Sequence, residues 1–268
     1  MPRGPTAHSI WPGCSRRSDV PYRSHLWPLL LLAACGPSAH DVEAAQIHYD
    51  LGVNAMVQQH DVPTALRELE IAIAKNPRLA EAQNAIGLVD HLMLHKPDEA
   101  VAHYQRALEL NPKYSEAANN LGNAYLDLGR YNEAAAMYRR ALSDELYRTP
   151  FFAEGNLGWA LYKGGDVEGG VQHLKAALAQ NKGFCQGYRL LGMIYGETGK
   201  LDDAEQEFAT FHEKCPDVPE ADYRLALVYL KEGKQDRARQ ELEACADAKA
   251  AKDTDLGTEC ARLLKLMQ

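Results

Sequence analysis

The side chains with the most reactive chemistry are the cysteines and one pair of histidines. Of six cysteines in 268 residues, Cys14 and Cys35 precede all regular patterning, and Cys185, Cys215, Cys245 and Cys260 fall in the last third. In an oxidising compartment four thiols suggest two disulfides, with three possible connectivities. A zinc site would need tighter spacing, such as paired C-x-x-C, which is absent. His91 and His95 stand four apart beside Asp90, the spacing that puts two imidazoles on one helical face. The glutamate base of an H-E-x-x-H motif is missing and His95 falls in the turn before Lys96-Pro97. The pair therefore reads as polar surface histidines, with no metal expected. With no G-x-S-x-G, phosphate loop or dinucleotide fingerprint in the chain, neither an enzyme nor a cofactor nor a small-molecule substrate is expected.

The elements that carry these residues are helical hairpins. Residues 117–142 hold two amphipathic helices back to back, with Gly122, Ala134 and Ala141 marking where they touch. Leu121, Tyr125, Leu128, Tyr131 and Tyr138 fill the space around those contacts at spacings of three and four. Gly129 allows the sharp reversal between the helices. One hairpin cannot bury both faces, so the unit must recur. Its marker dipeptide does recur at Leu51-Gly52, Ile86-Gly87, Leu121-Gly122, Leu157-Gly158, Leu191-Gly192 and Leu225-Ala226. A small residue follows in each second helix (Ala65, Ala100, Ala134, Gly170, Ala204, Ala238), and four residues later a large one (Leu69, Tyr104, Tyr138, Leu174, Phe208, Leu242). Pro77, Pro112 and Pro216 close second helices, because proline lacks an N–H and disfavours helical geometry before it.

This skeleton resembles the tetratricopeptide repeat, whose period is about 34 residues. The resemblance implies an all-α, right-handed superhelical solenoid: six helix-turn-helix repeats over 41–252 and a capping helix over 253–268. The pattern places helix pairs at 41–58 with 62–75, 79–94 with 97–110, 114–128 with 131–143, 151–163 with 167–180, 184–198 with 201–214, and 218–232 with 235–247. Residues 143–150 make the third junction longer than the others. Cys185 then opens one helix and Cys215 ends its partner, while Cys245 and Cys260 lie across the last turn. Glu259, Arg262 and Lys265 give the final helix the polar outer face of a cap.

Composition is that of a folded soluble domain, 46% hydrophobic and 25% charged. Removing residues 1–34, which hold four arginines and one aspartate, takes the formal charge from −8 to −11. That balance disfavours nucleic acid and favours neutral or basic partners. Leu26–Ala34 is an apolar run too short to span a bilayer, and it follows a basic flank of Arg3, Arg16, Arg17 and Arg23, as in a secretory signal. Leu32-Ala33-Ala34-Cys35 resembles a bacterial lipobox. The resemblance implies a lipoprotein signal peptide over 1–34, cleavage before Cys35, acylation of Cys35, and a lipidated tether over 35–40 that anchors the chain without a transmembrane helix. With Gly36 and no aspartate after the cysteine, lipoprotein sorting implies the periplasmic leaflet of the outer membrane.

Stacked hairpins line their inner side with first helices, so residues near one and four positions from the marker face inward. They are Tyr49, Val53, Met56 and Val57, then Asn84, Leu88, His91 and Leu92, then Asn119, Asn123 and Leu126, then Phe152, Trp159 and Tyr162. An apolar strip with amides interspersed marks a protein-binding surface. Clamping of a chain-end carboxylate is excluded at this end, since 41–58, 79–94 and 114–128 contain no Lys or Arg.

The lipobox, the Gly36-Pro37-Ser38 tether, the repeats and the stretched junction before Asn156-Leu157-Gly158 together resemble the PilF/PilW/Tgl family over about residues 35–215. Those are outer-membrane lipoproteins of type IV pilus biogenesis. The resemblance implies a pilotin that binds the pilus secretin and promotes its outer-membrane localisation and multimerisation, hence twitching or social motility. The other function considered is a lipoprotein adaptor with the same fold, recruiting peptidoglycan hydrolases or outer-membrane assembly factors.

Overall fold

The computed structural model describes residues 36–267, so the leader and Cys35 lie outside the described residues. Among these, α1 (Ala39–Asn54) pairs with α2 (Val62–Lys75), α3 (Ala80–Leu88) with α4 (Pro97–Leu110), and α5 (Ser115–Asp127) with α6 (Tyr131–Leu142). The next pairs are α7 (Pro150–Lys163) with α8 (Val167–Gln180), α9 (Cys185–Glu197) with α10 (Leu201–Lys214), and α11 (Glu220–Lys231) with α12 (Gln235–Asp247). α13 (Asp255–Leu266) packs on α12 without a second helix of its own. Each helix packs mainly on those before and after it in the chain, and successive helices reverse direction, which makes an all-α solenoid. None of the described helices is long and apolar enough to cross a membrane.

Each hairpin closes on its marker. The large side chain of the second helix lies flat on the glycine of the first: a Cβ at Gly87 would sit 2.6 Å from a ring carbon of Tyr104, and one at Gly122 would sit 2.5 Å from Tyr138. Such distances leave no room for a side chain there. Ala65, Ala100, Ala134, Ala204 and Ala238 are fully buried opposite, as are Leu69, Tyr104, Tyr138, Leu174 and Leu242, so the recurring residues are the core.

The first two hairpins depart from the rest by one residue. From marker glycine to second-helix alanine is thirteen positions in Gly52 to Ala65 and Gly87 to Ala100, but twelve in Gly122 to Ala134. The surplus residue is absorbed as a π turn, Ala55–Gln59 after α1 and Val89–Met93 after α3. The reversal then falls on His60 (φ 52°) and His95 (φ 55°), where the later repeats use Gly129, Gly165, Gly199 and Gly233. The first helices read from sequence as 41–58 and 79–94 are thus each an α-helix ending in a π turn.

Between repeats, Asn76, Asn111 and Asn181 leave the second helix in extended geometry, and their side-chain oxygens accept from the backbone N–H two residues on. This is the turn chemistry that suits asparagine. In the long third junction Asp144 accepts from the Leu146 N–H at 3.0 Å and from the Ser115 hydroxyl at 2.8 Å. Tyr147 is buried and Leu146 is 87% exposed.

Two disulfides hold the far end. Cys185 joins Cys215, tying the start of α9 to the end of α10, and Cys245 joins Cys260, tying α12 to α13.

Candidate functional site

The first helices α3, α5 and α7 lie side by side and leave a groove of about 630 Å³. Its floor carries amides: Asn84 from α3, Asn119, Asn120 and Asn123 from α5, Asn156 from α7, and Gln186 from α9. Leu88, Leu92, Leu126 and Phe152 line it with apolar surface, and Tyr114, Tyr147 and Thr149 close it on the junction side. Leu92 is 61% exposed and Phe152 42%. The charged side chains lining it are Glu116 and Asp127, and no Lys or Arg is among them.

The amides are linked to one another across the repeats. Asn120 Nδ2 donates to Asn84 Oδ1 at 3.0 Å, and Asn156 Nδ2 donates to Asn123 Oδ1 at 3.0 Å and to Asn119 Oδ1 at 3.4 Å. The Tyr138 hydroxyl, rising from the second helix, donates to Asn123 Oδ1 at 2.8 Å. Burial pushes the Tyr138 and Tyr114 hydroxyls well above the usual phenol range, so both stay protonated; the Tyr114 oxygen accepts from Asn84 Nδ2 at 3.5 Å. At the apolar end, His91 Nε2 bonds Asp127 across to α5 at 2.8 Å. Burial also raises the pKa of neighbouring Asp90.

Of the residues singled out in the sequence as facing inward, Asn84, Leu88, His91, Leu92, Asn119, Asn123, Leu126 and Phe152 line this groove. Tyr49, Val53 and Met56 are half-buried against the core of repeats 1 and 2, and Val57 is exposed on the first π turn. Trp159 lies outside the groove, half-buried against the core of repeat 5 and packed on Tyr162 with ring centroids 5.3 Å apart. His91 corrects the expectation of a surface histidine. The π turn carries it inward, 5% exposed, edge-on to Tyr104, while His95 stays in the exposed turn. The two imidazoles do not share a face. Among the described residues no group of three or more His, Cys, Asp or Glu is placed to hold a metal ion.

Asn120 and Asn156 are groove residues that the sequence reading passed over. Each stands immediately before its marker leucine, and that position was their signal. Tyr147 and Thr149 come from the long junction, whose course the repeat period does not specify.

The comparisons with known proteins agree with this geometry. The tetratricopeptide repeat family model matches residues 90–149 and 189–253. The fold is a tetratricopeptide-like solenoid. Among solved structures, PilW, described as a widely conserved type IV pilus biogenesis factor, superposes with a TM-score of 0.72 at 24% identity, over 80% of this chain and 97% of PilW. PilF of Pseudomonas aeruginosa superposes at 0.68 and 18% identity, over 84% of this chain and 99% of PilF. At these identities the likeness is one of fold. A probable UDP-N-acetylglucosamine–peptide N-acetylglucosaminyltransferase, SPINDLY of Hordeum vulgare, is 32% identical over 113 residues, 40% of this chain. The chain spans 12% of that curated relative's length, and the likeness falls on its tetratricopeptide region. A tetratricopeptide solenoid is a scaffold for binding other proteins, and the groove is where this one has the means to do so.

Proposed function

We propose that this chain is a lipid-anchored pilotin: Cys35 carries the lipid, and the groove of repeats 2–4 binds a segment of the type IV pilus secretin as it reaches the outer membrane. The observation that carries the reading is the combination of a lipobox four residues ahead of α1 with a solenoid that overlaps 97% of PilW and 99% of PilF. An amide-floored groove free of cations supports a neutral or basic protein client. Held at the membrane, such a groove would cover apolar surface on unassembled secretin subunits until they pair with each other.

Two experiments test this. A Cys35→Ala strain is expected to lose secretin multimers and pili, and unchanged multimers would reject the anchoring role. Replacing Leu88 and Leu126 together with Asp is expected to abolish copurification with the secretin while the helical circular dichroism is retained. Undiminished copurification would move the site off the groove.

A further inference from the structure

The two rims of the solenoid carry their charge differently. On one rim first helices begin and second helices end; on the other the hairpins turn. Along the first rim, the junctions after repeats 1 to 4 each hold one exposed cation: Arg78, Lys113, Arg148 and Lys182. None of the four makes an ion pair among the described residues. On the hairpin rim the turn cations are taken up: Lys96 pairs with Glu99, Arg130 with Glu133 and Lys234 with Glu205, while Lys200 lies over the Tyr195 ring. The carboxylates within the four junctions are Asp144 and Glu145, and Asp144 is engaged by the Ser115 hydroxyl and the Leu146 N–H. In that same junction Tyr147 is buried, yet Leu146 stands 87% exposed two residues before Arg148. The chain outside the described residues joins this rim too. Ser38 caps α1 there, three residues after Cys35, and three residues reach at most about 11 Å.

We infer that the first rim is a membrane-docking face: Arg78, Lys113, Arg148 and Lys182 meet anionic phospholipid headgroups, and Leu146 enters between the acyl chains. The chain is acidic as a whole, so an anionic surface repels most of it, and the unpaired cations decide which side can approach. Each Lys or Arg close to such a surface favours binding about fivefold, and a lipid chain combined with basic residues anchors more firmly than the lipid alone. With this rim down, the helices stand upright on the bilayer and the groove between the rims opens along the membrane plane. The inference rests on the reading that Cys35 carries lipid, which brings this rim to a bilayer, and not on the identity of the client.

The test locates the rim that touches lipid. The full chain is produced with its leader and used in the form the cells make, with a reporter on either rim: Leu146→Trp, or Leu94→Trp on the hairpin side. Each is mixed with vesicles of phosphatidylethanolamine and about one third phosphatidylglycerol, with brominated acyl chains that quench a nearby indole. The native tryptophans are common to both variants and set the baseline. The reporter at 146 is expected to be quenched and the reporter at 94 not. Reversing the four cations together (Arg78→Glu, Lys113→Glu, Arg148→Glu and Lys182→Glu) is expected to abolish the quenching, and so is salt at about 1 M, where the screening length falls to about 3 Å. Each reversal alone should lower the docked-to-free ratio at least about fivefold. Circular dichroism checks the fold; should the fourfold variant fail to fold, the single reversals and the salt series decide. Equal quenching at both positions, quenching that ignores salt and reversals, or none at 146 would overturn the inference, the last leaving the rim to an acidic protein. The mass of the N-terminal peptide reports acylation independently. An unmodified Cys35 with 146 quenched fails the anchoring reading alone, and an acylated Cys35 with 146 unquenched fails the docking face alone.

Discussion

In repeats 1 and 2 the first helix runs into a π turn, a histidine takes the left-handed reversal, and there is no cysteine; in repeats 5 and 6 a glycine makes the turn, two disulfides bridge helices, and α13 covers the open side. The outer face of α1 sharpens the contrast. Leu51 is 51% exposed, whereas the same position in the next five repeats is 1% to 6% exposed, because each of those first helices packs on a preceding second helix and α1 has none among the described residues. Ile47 and Val42 share that exposure. One hairpin design thus tolerates opposite treatments at its two ends. What it keeps is a large side chain packed on a small marker residue, glycine in five repeats and Ala226 in the sixth; the turn residue and the outer neighbour are negotiable.

The largest expected effect comes from the stapled end. Replacing Cys185 or Cys245 with Ser opens loops of 30 and 15 residues, each worth roughly 3–4 kcal/mol by chain entropy. Hydrogen exchange should speed up in α9–α13 and stay unchanged in α1–α4; uniform loosening would mean the two ends are one cooperative unit. Next, Leu121→Ala should cost about 2–5 kcal/mol while Leu51→Ala stays within about 0.5. Equal losses by urea unfolding would show that α1 is covered in solution.

A smaller pair of tyrosines divides repeat 2 from repeat 3. The residue after the marker glycine is Asn123 in repeat 3, where it accepts from Tyr138, but Leu88 in repeat 2, where the buried Tyr104 hydroxyl has no partner among the described residues. Tyr138→Phe should cost roughly 1 kcal/mol and Tyr104→Phe should be neutral or stabilising. The smallest effect concerns Asp90, whose pKa is raised chiefly by burial in the second π turn. A carboxyl raised on folding favours the folded state while protonated, and that contribution is lost as pH rises through its folded pKa. Asp90→Asn should therefore raise the Tm at neutral pH, with the gain shrinking as the pH falls through the raised folded pKa and gone by about pH 4, the carboxyl's unfolded value.

Most of the fold was legible in the sequence because marker glycine, small residue and large residue each have a single steric role that recurs. The π turns were not legible. One surplus residue changes neither the apolar pattern nor the apparent helix, and only the count from Gly52 to Ala65 betrays it. The groove was half legible. Asparagines near the marker could be picked out, but which of their atoms remain open depends on Tyr138 reaching up from the second helix and on pairings between repeats. Tyr147 and Thr149 were beyond reach, since a long junction has no period to follow.

Because successive helices alternate in direction, Ser38 at the start of α1, the long junction and the Cys185–Cys215 bridge all come out along one rim, and the histidine and glycine reversals along the other. A surface gripping the chain ahead of Ser38 would look onto the first rim. Leu146, almost wholly bare, would then be on the side turned towards the anchorage, and the hairpin tips would point into open space.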